Sequence, residues 1–188
     1  MQDEILDFWF GPRNGTEYGK PRALWFRKDD AVDQSIRARF GVAVETALGD
    51  GFGDWTAPRD GLARVLLLDQ FTRNIFRDTP RAFAGDALAL RVSKAAVANH
   101  DDRTLVPVER WFLYMPFEHA EDTAAQQASL ELFTRLRDET GLGDPLAWAE
   151  RHAAVIRRFG RYPHRNAILG RESTAEEIAF LARPGSGF

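Results

Sequence analysis

"LARVLLLDQFTRNIFR" (residues 62–77) is the stretch from which the fold can be read. At about 100° per residue, Leu62, Val65, Leu66, Leu67 and Leu68 point in nearly every direction, and a helix that is apolar all round is a buried one. One turn later Asp69, Arg73 and Arg77 follow at steps of four, with Gln70 and Asn74 beside them. This polar arc continues the face begun by Leu62 and Leu66, so it is expected to line an internal cleft. The plainer reading is a within-helix Asp69–Arg73 pair on a solvated end, worth a few tenths of a kcal/mol. The apolar first half of the helix favours the cleft.

Helical spacing extends outward from this stretch, and no sustained period-two alternation appears. "DEILDFWF" (3–10) is a short helix stopped by Gly11-Pro12. Residues 29–48 carry Val32, Ile36, Phe40, Val44 and Leu48 at steps of four and end near Gly49. Residues 58–78 form the second long helix, with Pro58 tolerated in its first turn. A third covers 85–100. Residues 107–140 read as helical throughout, with a kink or split expected at Pro116. Residues 144–160 close on Gly160, and 173–182 open with Ser173 and Glu176 in capping-box spacing. The expectation is an all-α chain forming a single domain over 1–188, with about seven to nine helices. Residues 49–57 and the tail 183–188 look loose. No fixed-period repeat is visible, so an irregular helical array or bundle fits better than a regular solenoid.

Composition narrows the function classes. Of 188 residues, 44% are hydrophobic and 28% charged, which suits a soluble globular chain. The formal net charge of -3 argues against general nucleic-acid affinity. There is no cysteine, which removes disulfides, thiolate catalysis and cysteine-ligated metals. The start, "MQDEILDFWFGPRNG", lacks a basic region followed by an apolar one, and no run reaches the ~20 apolar residues of a membrane span. A cytoplasmic location without membrane or nucleic-acid partners is expected; oligomeric state is not readable.

Two further segments carry candidate chemistry. In "YMPFEHAED" (114–122), Pro116 is followed by Glu118, His119, Glu121 and Asp122. A histidine near carboxylates can be a general base or a metal ligand, the carboxylate fixing its tautomer. On a continuous helix His119 and Glu121 diverge by about 160°, and no spacing matches a metal motif such as HExxH. No metal and no cofactor are therefore expected; such a site would need a distorted helix plus His152 or His164. In "FGRYPHRN" (159–166), Arg161, His164 and Arg165 crowd a short helix beginning at Pro163, with Asn166 next to them. Cations are unfavourable at a helix N-terminus unless something negative sits among them. Asp69, Glu118 or Glu121 could supply that charge internally. A bound phosphate, sulfate or carboxylate could supply it externally. His152, spaced with Trp148 and Ile156, reads as a core histidine, and the Trp-Phe pairs at 9–10, 25–26 and 111–112 read as core.

"DQFTRNIFR" (69–77), "MPFEHAED" (115–122) and "FGRYPHRNAILGR" (159–171), with "LDFWF" (6–10) and "LWFRKDDAVDQSIRARF" (24–40), resemble the bacterial family catalogued as domain of unknown function 924. The resemblance implies an α-helical fold similar to tetratricopeptide-like superhelices and no established activity. Tyr162 stands where the family often has Phe, and Ala120 where it often has Ser.

The leading expectation is an internal pocket for a small anionic molecule. His119 and His164 are the candidate acid–base groups, oriented by Glu121. Asp69, Gln70, Arg73, Asn74, Arg77, Arg161, Arg165 and Asn166 are the candidate binding residues. The same pocket could serve a sensor or carrier without catalysis. The alternative is a tetratricopeptide-like interaction scaffold, with an acidic peptide as partner and the polar residues as a closed structural network.

Overall fold

A computed structural model describes residues 1–186, and among these the chain is all-α without strands. The helices are α1 (Gln2–Phe10), α2 (Asp30–Leu48), α3 (Pro58–Val65), α4 (Thr72–Ile75), α5 (Asp86–Ala98), α6 (Pro107–His119), α7 (Thr123–Thr140), α8 (Asp144–Phe159) and α9 (Ala175–Leu181). A wide π-helical segment, Leu66–Phe71, joins α3 to α4 without a break, so the run counts as one of eight helices. Residues 187–188 of the expected tail lie outside the described residues. Ser186 Oγ donates to the Leu181 carbonyl at 3.0 Å. Among the described residues no helix is long and apolar enough to cross a membrane.

The central run is buried as its composition requires. Leu62, Val65, Leu66, Leu67, Leu68 and Phe71 are all fully covered, each contributing about 1.5–3 kcal/mol relative to exposure. Around them close an aromatic group from four other elements. Trp9 meets Phe71 and Phe112 edge-on at 5.5 Å each, Phe40 lies 5.1 Å from Phe71, and Trp25 lies 4.7 Å from Phe112. The Trp-Phe pairs are core as expected, except Phe26, which is exposed. Helices α5 to α8 pack each on the next, whereas α2 lies along the π segment and α4, and α1 along α3.

Local chemistry sets the ends. Asp29 caps α2 by accepting from Ala31 N at 2.9 Å, and Gly160 ends α8 at φ 70°, a conformation glycine adopts without cost. Three boundaries differ from expectation. The central helix ends at Ile75 rather than 78, where the Arg37 guanidinium takes the Ile75 carbonyl. The long helix over 107–140 does not split at Pro116, which α6 carries intact; it splits at Ala120, whose extended backbone lets Asp122 cap α7 through Ala125 N at 2.7 Å. The last capping box is Thr174 with Glu177, one residue beyond Ser173 and Glu176, because Ser173 Oγ accepts instead from Asn166.

Candidate functional site

The π segment ends over the C-terminus of α6, and there the buried polar groups collect. Asp69, fully covered, faces His119, whose Nδ1 lies 2.7 Å from Asp69 Oδ1. Gln70 Nε2 donates to the other Asp69 oxygen, and Arg73 reaches back to the Asp69 carbonyl at 2.6 Å and to its carboxylate at 3.3 Å. The other side of Arg73 grips Asp86, the first residue of α5, at 2.8 and 3.1 Å. Arg165, from the single 3-10 turn Pro163–Arg165, reaches the same Asp86 carboxylate at 3.2 Å. The His152 ring, from α8, stands 6.0 Å from His119 and 5.6 Å from Tyr162, and His164 stands 5.6 Å from Tyr162. Three of the chain's four histidines thus meet in one place. The Arg73–Asp86 edge reaches solvent, with side-chain exposures of 22% and 19%.

The end of α6 is held open by neighbours rather than by its own helix. Gln126 Nε2 donates to the carbonyls of Glu118 at 2.7 Å and Ala120 at 2.8 Å, and the Tyr162 hydroxyl also donates to the Glu118 carbonyl. Glu118 and His119, consecutive on the last turn of α6, both border the cluster.

Electrostatics sort the charges. Burial alone would raise the Asp69 carboxyl, but Arg73 and then His119 hold it well below the usual carboxylate range. Burial lowers His119, and Arg73 lowers it further against the pull of Asp69, so its imidazole is neutral. An ionised Asp69 only accepts, so Nδ1 of His119 carries the proton and Nε2 the lone pair. His152 is pushed down to about 3 by burial and then by His119, and its Nδ1 donates to the Trp148 carbonyl at 2.9 Å. Burial and then Arg165 lower His164 to about 4. Burial, with Asp69 nearby, raises Glu118, and its Oε2 is buried with no hydrogen-bond partner. Burial lowers Arg165, with Asp86 opposing and Arg73 adding, and its Nε also lacks a partner.

Of the residues singled out from sequence, Asp69, Gln70, Arg73, His119, His164 and Arg165 belong to this cluster. The others are held elsewhere. Arg77 lies beyond the end of α4 and pairs with Asp33 of α2 at 2.8 Å, and Asn74 donates to the same carboxylate at 2.7 Å. Arg161 forks onto Glu177 at 2.7 and 2.8 Å, and Asn166 donates to Ser173 and Glu177. Glu121 does not orient His119; it takes Arg171 at 2.6 Å and Tyr162 N at 2.7 Å, and Asp69 has the orienting role. Sequence reasoning also missed partners: Asp33, Asp86 and Glu177 take up the charge of Arg77, Arg73, Arg165 and Arg161, and Arg171 takes up that of Glu121. His152 is in the cluster although its spacing signalled only burial. Glu118 and His152, not Glu121, are the groups beside His119, and one donor atom from each of the three lies within 4.8 Å of the others.

No curated protein matches the chain. A solved structure of a protein of unknown function from Agrobacterium tumefaciens is similar to it, with a TM-score of 0.83 and 39% identity over 96% of each chain. The model of the family described as bacterial protein of unknown function, DUF924, matches residues 5–185. With nearly its whole length matched, from the tryptophan-phenylalanine opening to the turn after α9, the chain belongs to the DUF924 family.

Proposed function

We propose that the protein binds a small anionic molecule at the Arg73–Arg165 edge of the buried cluster. The observation that carries this reading is the convergence of two guanidinium groups, Arg73 and Arg165, on the single carboxylate of Asp86. Arg73 is further matched by Asp69, whereas Arg165 is buried, lies over the Phe83 and Tyr162 rings at 4.6 Å each, shares its one carboxylate with Arg73, and keeps an unpartnered Nε. A buried guanidinium is costly until its charge and donors are met, and a phosphate, sulfate or carboxylate meets both through fork geometry. In the catalytic form of this reading, the neutral His119, oriented by Asp69, accepts a proton from the bound molecule.

The test is a thermal-shift titration with inorganic phosphate, sulfate and small dicarboxylates in the presence of a chelator. Binding to the folded state alone raises stability by about 2.7 kcal/mol at a hundredfold excess over Kd. Arg165→Met should abolish the shift, while Arg161→Ala, whose partner is Glu177, should keep it. A shift retained by Arg165→Met would show that the anion binds elsewhere.

One observation favours the scaffold reading. Phe26 and Trp148, both exposed, flank a surface groove of about 440 Å³ that also meets Arg22 and Arg151. An acidic peptide bound there, with no response to small anions, would replace the pocket by the groove.

A further inference from the structure

We propose that Glu118, His119 and His152 together bind one divalent first-row transition-metal ion. The donors come from two helices. Glu118 and His119 close α6, and His152 lies in the middle of α8. One ligand atom from each already lies within 4.8 Å of the others, and Glu118 Oε1 stands 3.8 Å from Nδ1 of His152, so the Glu118 side chain has to turn toward Nε2 to share an ion. Ligands around zinc stand about 2.0–2.2 Å from the ion, so binding draws the three side chains closer still.

Three independent features fit a metal rather than a chance cluster. Nδ1 of His119 faces the Asp69 carboxylate at 2.7 Å, and Nδ1 of His152 faces the Trp148 carbonyl at 2.9 Å. Each acceptor requires a proton on that nitrogen, which leaves Nε2 of both rings as the lone-pair nitrogen. Metal-bound histidines have this outer-shell arrangement, with a carboxylate or carbonyl fixing the tautomer. The third feature is Glu118: its side chain is 3% exposed, and Oε2 is buried without any hydrogen-bond partner. Such an oxygen is costly to bury and is what a cation would satisfy.

The donor set indicates the class of ion. Two imidazoles and one carboxylate suit zinc or ferrous iron and are poorly matched to magnesium or calcium, which take oxygen ligands. Three protein ligands also leave coordination positions open. The inference does not depend on anion binding, which is placed on Arg165 and Arg73; it excludes only the catalytic form of that reading, because a metal on Nε2 takes the lone pair with which His119 would accept a proton.

The experiment titrates metal-stripped protein with Zn²⁺, Co²⁺, anaerobic Fe²⁺ and Mg²⁺ in phosphate-free buffer, followed by calorimetry and by the visible absorption of Co²⁺. The expected result is saturable uptake of one Zn²⁺ or Co²⁺ per chain, with cobalt bands of a low-symmetry nitrogen–oxygen site and no competition from Mg²⁺. Glu118→Gln, which keeps shape and volume, and His152→Ala should each lose that uptake, while His100→Ala, at the exposed end of α5, should keep it. Circular dichroism confirms that each variant is folded; if His152→Ala is not, the Glu118→Gln result decides. Absence of saturable uptake by the folded parent, or uptake unchanged in Glu118→Gln, overturns the proposal. Because the anion titration is run in chelator and the metal titration without anions, either can fail alone.

Discussion

His119 and Asp69 are fifty positions apart in the chain, and their side chains meet at 2.7 Å between Nδ1 and Oδ1. The contact joins the π segment to the last residue of α6. It fixes which nitrogen of His119 carries the proton, and Arg73 keeps Asp69 ionised so that the acceptor persists. Asp69→Asn keeps the shape but removes the charge. Because Asp86 still holds Arg73, the loss of stability should be about 3 kcal/mol, the low end of the range for a broken buried pair, read from urea denaturation. An amide can turn either its oxygen or its nitrogen toward the ring, so the imidazole tautomer is no longer imposed. Metal affinity should fall roughly 10–100-fold, as for other outer-shell partners. An unchanged affinity in calorimetry would remove Asp69 from that role.

Glu118→Gln should separate stability from function. With chelator present, the carboxyl of Glu118 has a buried oxygen that no neighbour satisfies, and replacing it by an amide removes the buried carboxyl altogether. The variant's unfolding midpoint should equal or exceed the parent's. With saturating Zn²⁺ the order should reverse, since only the parent gains binding free energy. A Glu118→Gln protein that is less stable than the parent in chelator would assign the carboxyl a structural role.

Gly85 lies against the π segment so closely that a Cβ there would sit 2.2 Å from the Leu68 carbonyl oxygen. Both are backbone, so neither can swing away. Gly85→Ala must therefore push the start of α5 off the π segment, at a cost of about 1–3 kcal/mol for overpacking. Asp86 is the next residue, so the displacement moves the carboxylate shared by Arg73 and Arg165. Anion response should weaken together with the denaturation midpoint. A midpoint equal to the parent's would show that the helix can shift without loss.

What the sequence made legible was local. Pro58, Gly160 and Pro163 mark helix ends through chemistry confined to a few residues, and the structure uses all three. The π segment had no such mark. It contains neither glycine nor proline, and it lies against the backbone of Gly85, far along the chain. Pro116 did mark a break, but α6 tolerates it, and Gln126 and Tyr162 supply the donors that end the helix four residues later. Asp69, Gln70 and Arg73 were legible because a polar arc on an apolar helix has to face inward, and His119, His164 and Arg165 because each stood among charges of a segment that could not be left unmatched. Their partners were not. Arg77 and Arg161 look identical to Arg73 and Arg165 in a sequence, and only the positions of Asp33 and Glu177 separate the paired from the shared. His152 shows the same limit, since helical spacing reports that a ring is buried and not what it faces.

Tyr162→Phe should be mild. The hydroxyl meets Gln126 Nε2 at 2.9 Å and the Glu118 carbonyl, yet that carbonyl still accepts from Gln126, which in turn keeps Ala120. Both of these partners keep another bond, so losing the two hydroxyl contacts costs about 1 kcal/mol, that of an ordinary hydrogen bond. Gln126→Leu strands the carbonyl of Ala120 and should cost more, about 1–3 kcal/mol. Equal losses in urea denaturation would mean that the hydroxyl, not the amide, holds the end of α6 open.

Acid stability should depend on Glu177, which ties α9 to Arg161 and Asn166 in the segment that follows α8. Hydrogen bonds from Arg161 pull its carboxyl down from 4.5 to about 2, against the effect of burial, with Thr174 N and Asn166 helping. A carboxyl lowered in the folded state holds fewer protons there than in the unfolded chain, so stability rises with pH across that interval. Its contribution is complete above about pH 4.5 and is lost as the pH falls toward about 2. Glu177→Gln, which cannot ionise, should be less stable than the parent at neutral pH and should lose less on acidification between those values. Urea midpoints measured at steps of pH check this directly. Parallel curves for parent and variant would mean that the pair with Arg161 forms equally well in the unfolded chain or not at all.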